Sequence, residues 1–333
     1  MKNAIVMAAG RGTRMKSEKC KVLHSLIDRP MLDYTIDALR QAGVERIVLI
    51  AGYQAEALKE RYPELEIAIQ EPQLGTGHAV MQATMLEDAD GDTIVVNGDA
   101  PCLQPETMQK LFDANKDNAL TFLSCVLEDG AHYGRVIRDE NGVVEGIVEA
   151  KDCTDEQKKV GEINVGLYVF KNKDLFNGLK ELKNDNAQNE YYLTDLVKIL
   201  KEQGKAVDAM PHPDMDETMG INDNLELNKA YVWWRDRICK DWMKKGVQIV
   251  DPARTVIGKD VEIGHDVVIE PDTTIAGKSV IGDYTEILAG SFIEDSTIGE
   301  DCIIDHAKIV RSTIEDGMEV EPFTYVKDDQ IIR

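Results

Sequence analysis

Positive charge is what this 333-residue chain is short of: 38 Lys and Arg face 61 Asp and Glu, a formal net charge of -23. So large an acid excess disfavours electrostatically driven binding to DNA, RNA or an anionic membrane surface, so no nucleic-acid or membrane partner is expected. An anionic ligand must instead be captured by a local cluster of basic side chains, by backbone N–H groups or by a metal ion. Cysteine is also sparse. Cys20, Cys102, Cys125, Cys153, Cys239 and Cys302 form no C-x-x-C pair and have no histidine at zinc spacing, which argues against a zinc site and fits free thiols in a reducing cytoplasm. No run approaches the roughly 18 to 20 apolar residues of a membrane span. The apolar start, residues 3–10, is too short and too lightly charged to act as a secretory signal, so a cytoplasmic location is expected. Proline numbers only 10 against 25 Gly, and 43% of residues are apolar. That composition excludes a disordered chain, and the length suggests two or three domains.

Through residue 222 the chain alternates short β-rich runs with helical stretches, the pattern of a parallel sheet covered by helices on both faces. Ala4–Met7 reads as a buried strand, Met31–Gln41 as a helix ended by Gly43, Arg46–Ile50 as a strand, Ala79–Met85 as a helix, and Thr93–Val96 as a third strand. In a doubly wound sheet ligands lie beyond the carboxyl ends of the strands, which singles out residues 8–14 and 97–102. A long helix is expected over Asp223–Lys245, with a packing stripe of Leu227, Tyr231, Trp234, Ile238 and Trp242 and an end at Gly246. It reads as a connector over residues 223–246 between domains at 1–222 and 247–333.

Beyond that helix the pattern changes. Ile257, Ile263, Ile269, Ile275, Ile281, Ile287 and Ile293 recur at every sixth position, and after a one-residue slip the series continues through Ile298, Ile304 and Val310. A period of six fits neither an amphipathic helix nor a meander. It is the period of a solenoid whose short strands each turn one aliphatic side chain inward, with Gly258, Gly264, Gly282 and Gly299 at corners. The segment resembles the hexapeptide-repeat left-handed parallel β-helix, and about four coils are expected.

The turn after the first strand, Ala8-Ala9-Gly10-Arg11-Gly12-Thr13-Arg14-Met15, starts like G-x-G-x-x-G but has Met15 at the third glycine position, and no P-loop occurs. What remains is a loop of bare N–H groups followed by Arg11, Arg14, Lys16, Lys19 and Lys21, a local inversion of charge suited to a triphosphate.

The string Met7–Met15 followed by Lys21-Val22-Leu23-His24 resembles the signature of sugar nucleotidyltransferases. With Gln73–Ala79, Gly98–Pro101, Tyr133–Arg135, Ile147–Glu149, Glu162–Asn164 and Asn186–Asp195, it resembles the bacterial bifunctional N-acetylglucosamine-1-phosphate uridylyltransferase/glucosamine-1-phosphate acetyltransferase family over nearly the whole chain. The resemblance implies a Rossmann-like nucleotidyltransferase domain and transfer of a uridylyl group from UTP to N-acetylglucosamine 1-phosphate, by magnesium-assisted in-line attack on the α-phosphorus. It assigns Arg14 and Lys21 to the phosphates as catalytic groups. Ala8, Ala9, Gly10, Gly12, Thr13, Gln70, Gly75 and Thr76 would bind the nucleotide, and Gly134, Glu149, Asn164, Tyr192 and Thr194 the acetamido sugar. Asp99 and Asn222 would hold Mg²⁺. A homo-oligomer, a trimer through the β-helix, is also implied.

Three positions depart from the family pattern: Cys20 replaces a usual proline, Ala150 a histidine and Asp223 an asparagine. In the relatives, acetyl transfer uses a longer β-helix with motifs beyond Pro322-Phe323, so no acetyltransferase activity is expected here. Two alternatives stand beside this reading: a nucleotidyltransferase for another sugar or nucleotide, and a catalytically inactive regulatory subunit.

Overall fold

The structure is a computed structural model and describes residues 1–332. By contacts the chain divides into two compact units: residues 1–24 with 30–226, and residues 25–29 with 227 to the C-terminus. The second unit therefore includes a short piece of sequence, Ser25–Arg29, lying within the span read as the first domain.

The first unit is built on a nine-stranded sheet whose strands, in chain order, are β1 (Lys2–Ala8), β2 (Arg46–Ala51), β3 (Glu66–Ile69), β4 (Asp92–Asn97), β5 (Leu120–Val126), β6 (Arg135–Arg138), β7 (Val144–Val148), β8 (Glu162–Lys171) and β9 (Val207–Pro211). The main path runs β9-β5-β8-β4-β1-β2-β3, with β6 and β7 as an antiparallel hairpin against β8. β1 pairs in parallel with both β2 and β4. Val, Ile and Ala fill these central strands almost without interruption, as burial on both faces requires. The sheet departs from the expected parallel pattern at β8, which runs antiparallel to β4 and to β5.

The expected helix over Met31–Gln41 forms with those bounds as α1. The next expected helix is shifted. It spans Thr76–Met81, and a separate 3₁₀ turn covers Thr84–Leu86. The start is early because Gly77 N–H bonds Tyr191 O at 2.7 Å while the Thr76 hydroxyl accepts from Leu193 N at 3.0 Å. Long-range partners, invisible to a local period, fix that first turn. On one face of the sheet, Ile5, Val48, Ile50 and Val95 pack with Ala79, Val80, Leu175, Phe176, Leu196 and Val197 from the covering helices.

In the second unit, the helix over Asn224–Lys244 buries Ala230, Trp234, Ile238 and Cys239. After it come three sheets of five, six and four strands, the faces of a left-handed β-helix, parallel throughout except that the last strand of the six-stranded sheet, Gln330–Ile332, turns back antiparallel on Tyr325–Lys327. The isoleucine series is the inward stack: Ile257 pairs Ile275, which pairs Ile293, and all three are fully buried. One position needs correction. The partner of Ile293 is Ile309, itself paired with Val326, and Val310 sits one residue past the stack. Along one corner, Ser279 Oγ accepts from Ser296 N and Ser296 Oγ from Ser312 N, at 3.2 and 3.1 Å. These bonds satisfy donors inside a core that has no water to offer. At Gly282 a Cβ would stand 2.5 Å from the backbone of Gly299, so stacked corners exclude any side chain there. Ser25–Arg29 belongs to this unit through Asp28, whose Oδ2 accepts from Gly277 N at 3.1 Å, and through Arg29, paired with Asp260 at 3.2 Å.

Candidate active site

Because β1 and β4 are parallel neighbours with Met7 opposite Asn97, their carboxyl ends open on the same edge of the sheet. Gly98 N–H bonds Met7 O at 2.9 Å and locks the two exits side by side. β8 arrives from the opposite direction, with Tyr168 opposite Val95, so its first half runs past that same edge and carries Asn164 and Gly166 there. The antiparallel strand thus supplies residues to the edge where the parallel strands end.

Two adjoining cavities occupy this edge, about 320 and 260 Å³, and share Met7, Thr76, Asn97 and Asp99. Clefts of this order suit small-molecule ligands. The first is lined by Ala8, Ala9, Gly10, Lys21, Gln70 and Gly75, the second by Gly134, Glu149, Asn164, Thr194 and Asn222. Gly12, Thr13, Arg14 and Tyr192 line neither. Arg14 is exposed on a one-turn helix over Thr13–Met15, and Tyr192 is buried beside the second cavity. Gln73, His132, Tyr133, Glu190 and Thr218 also line the walls without having been singled out. Gln73, Tyr133 and Glu190 fall inside the motif strings, but nothing in those strings shows that the Gln73 amide donates to Ala9 O and so braces the glycine-rich turn.

The charged centre is assembled from three distant stretches. Ile221 N–H bonds Asp99 O at 2.8 Å, which draws the 220–222 segment to the end of β4. Asn222 N–H is held by Glu226 at 2.6 Å, while Asp223 caps the following helix by accepting from Leu225 N and Glu226 N, each at 2.9 Å. Lys21 then places its ammonium against the Asp99 carboxylate and 3.2 Å from Asn222 Oδ1. Gly12 permits this approach: its φ is +61°, and a Cβ there would come within 2.7 Å of Lys21 Cβ. Apart from His132, Lys21 is the one basic side chain lining either cavity.

Asp99 and Asn222 fit a hard divalent cation. Both offer oxygen, a cation-selective donor set, and a lysine ammonium already occupies the space between them as a positive charge would. No group of three His, Cys, Asp or Glu side chains capable of holding a metal exists among the described residues. A cation at this pair therefore needs further oxygens from water or from a phosphate.

In the second cavity Glu149 accepts from the Thr194 hydroxyl at 2.9 Å. Burial pushes its carboxyl above the ordinary value, Thr194 opposes that, and Asp195, Asp152 and Glu190 add to it. Asn164 donates to Tyr168 Oη at 2.7 Å and accepts from Gly166 N at 3.2 Å, so its amide is fixed in orientation. In the first cavity, Gln70 donates to Gly75 O at 2.9 Å and is buried. Its Nε2 is thereby committed within the protein, to Gly75 O and beside His78 Nδ1 at 3.3 Å.

Residues 4–196 match the MobA-like NTP transferase domain family. The bifunctional protein GlmU of Geobacillus sp. (strain WCH70) is 43% identical over 98% of this chain and 73% of its own length. The corresponding protein of Enterococcus faecalis is 44% identical over 97% and 72%, and that of Latilactobacillus sakei 43% over 98% and 71%.

Proposed function

The chain belongs to the GlmU family of nucleotidyltransferases, and on that premise we propose that it converts UTP and N-acetyl-α-D-glucosamine 1-phosphate to UDP-N-acetylglucosamine and pyrophosphate. The observation that carries the proposal is the Lys21–Asp99–Asn222 centre where the two cavities meet.

The first cavity would take the nucleotide. Backbone at Ala8, Ala9 and Gly10, with Gly75 and Thr76, would border the uracil, and Gln70 Oε1 would accept from its ring N–H. Thr13, Gly12 and Arg14 on the adjoining turn would face the triphosphate tail. The second cavity would take the sugar, with Asn164, Glu149, Thr194 and Gly134 matching hydroxyls and the acetamide, and Tyr192 backing them.

The nucleophile is a phosphate monoester oxygen. Its second pKa is near 6, so it is already mostly dianionic at pH 7 and needs no strong base. The protein's task is to bring two anions together in line. Lys21 lies at the junction of the cavities, where sugar phosphate and α-phosphate would meet, and offsets the charge that accumulates on their oxygens. Asp99 and Asn222 would hold Mg²⁺, which would supply positive charge against that of the phosphates.

The deciding experiment is pyrophosphate release with Mg²⁺, using UTP, dTTP and ATP against N-acetylglucosamine 1-phosphate, glucosamine 1-phosphate and glucose 1-phosphate. The UTP and N-acetylglucosamine 1-phosphate pair should give the highest kcat/KM, abolished by EDTA. Faster release with another pair would replace the substrate assignment, and none with any pair would point to an inactive regulatory subunit.

A further inference from the structure

Lys21 stands in a loop whose own anchorage is unusual. Residues 16–19 are exposed, and the chain then dives to Cys20, which is fully buried. Cys20 has φ -53° and ψ 130° and starts a one-turn helix over Lys21–Leu23. A proline could hold that φ by its ring, but Cys20 retains an N–H, and that N–H must find an acceptor.

The acceptor comes from the turn after β2. Gln54 Oε1 accepts from Cys20 N at 2.8 Å, and its Nε2 donates to Glu18 O. The neighbouring Tyr53 also donates from its hydroxyl to Glu18 O at 3.3 Å, and Tyr53 N–H bonds Ala9 O at 3.2 Å. One turn thus grips the glycine-rich loop at Ala9 and the Lys21 loop at Glu18 and Cys20. Gln54 does so from a left-handed backbone, φ 55°, a conformation that glycine adopts more readily than a residue with a side chain. A strained non-glycine residue whose amide is spent wholly on the backbone just before Lys21 points to a function for that side chain.

We propose that Gln54 is a positioning residue that fixes the Glu18–Cys20 backbone so that Lys21 is presented to the junction of the two cavities. Gln54 lines neither cavity; its effect reaches the reaction through Lys21. The inference rests on the nucleotidyl-transfer reading above for its kinetic consequence, but not for its structural one.

Gln54→Gly is the informative variant. It removes both amide contacts and suits the left-handed backbone, so loss of activity through unfolding is not expected. Turnover with UTP and N-acetylglucosamine 1-phosphate should fall about tenfold, while KM for UTP changes less than about threefold. The thermal midpoint should fall by no more than a few degrees, because relief of the left-handed backbone offsets part of the lost hydrogen bonding, and the Cys20 amide should exchange with deuterium at least about tenfold faster. Gln54→Glu, which keeps an acceptor for Cys20 but no donor for Glu18, should lie between parent and Gln54→Gly. Unchanged exchange at Cys20, or faster exchange with unchanged turnover, would overturn the positioning role. If the parent itself releases no pyrophosphate, the substrate reading fails, and unchanged Cys20 exchange would still refute the clamp while faster exchange would support it.

Discussion

Lys21 is the residue on which the proposed chemistry converges, because one ammonium faces a carboxylate and an amide oxygen where the two cavities join. Interactions that strengthen as charge gathers on the transferring phosphate lower the barrier without tightening ground-state binding. Lys21→Ala should therefore cut kcat by about 10²- to 10³-fold while KM for UTP rises by less than about tenfold. Steady-state kinetics at saturating sugar phosphate decide this, and a loss confined to KM would move Lys21 from the reaction to binding alone. Glu149 offers a second test at this scale. Its buried carboxyl holds a proton to higher pH than in the unfolded chain, so its contribution to stability is full below the ordinary value and is lost as pH rises through the native one. Glu149→Gln stays neutral throughout. Its thermal midpoint relative to the parent should improve as pH rises from the ordinary carboxyl value through the native one, and a difference constant with pH would contradict the burial argument.

Among elements, the solenoid was the most legible and also the easiest to misnumber by one. Inward isoleucines at every sixth residue announce short strands on a triangular coil, and Ile257 to Ile293 follow that rule. The slip beyond Ile293 is harder to read, because Ile309 and Val310 are adjacent, both aliphatic and both buried. Only pairing with Ile293 and Val326 identifies Ile309 as the stacked one. Ile275→Ala, at a fully buried position between two stacked isoleucines, should destabilise the β-helix by about 2–5 kcal/mol. Thr297→Ala, on an outward position of a strand in the same solenoid, should cost no more than about 0.5 kcal/mol. Equilibrium denaturation followed by a probe in the second unit checks both, and equal costs would refute the inward assignment. In the first unit, the three strands read from β-rich runs all form, but the direction of β8 was not legible. Its residues would fill a parallel or an antiparallel position equally well, since burial on both faces leaves no alternation to read.

The whole molecule carries its charge of -23 mostly as solvated carboxylates, and many of its ion pairs are exposed. Exposed pairs contribute little each, while the unpaired excess repels itself over distances that salt screens. The thermal midpoint should thus rise by a few degrees between about 10 and about 200 mM NaCl, and a fall would show that specific pairs outweigh net repulsion. What the sequence determined by itself was everything carried by neighbouring residues: the alternation of strands and helices, the six-residue period, the glycine-rich turn with its cluster of cations, and the strings that mark the family. Tertiary structure alone decided the rest. It reversed β8 so that Asn164 reaches the site edge, tied residues 220–222 to Asp99 through the Ile221 N–H, set Gln54 beneath Cys20, and assigned Ser25–Arg29 to the second unit. The physical reason is range. A period or a turn is fixed by residues a few positions apart, whereas the partner of Asp99 or of the Cys20 N–H depends on how stretches remote in sequence are brought together to bury their apolar faces and satisfy their polar groups.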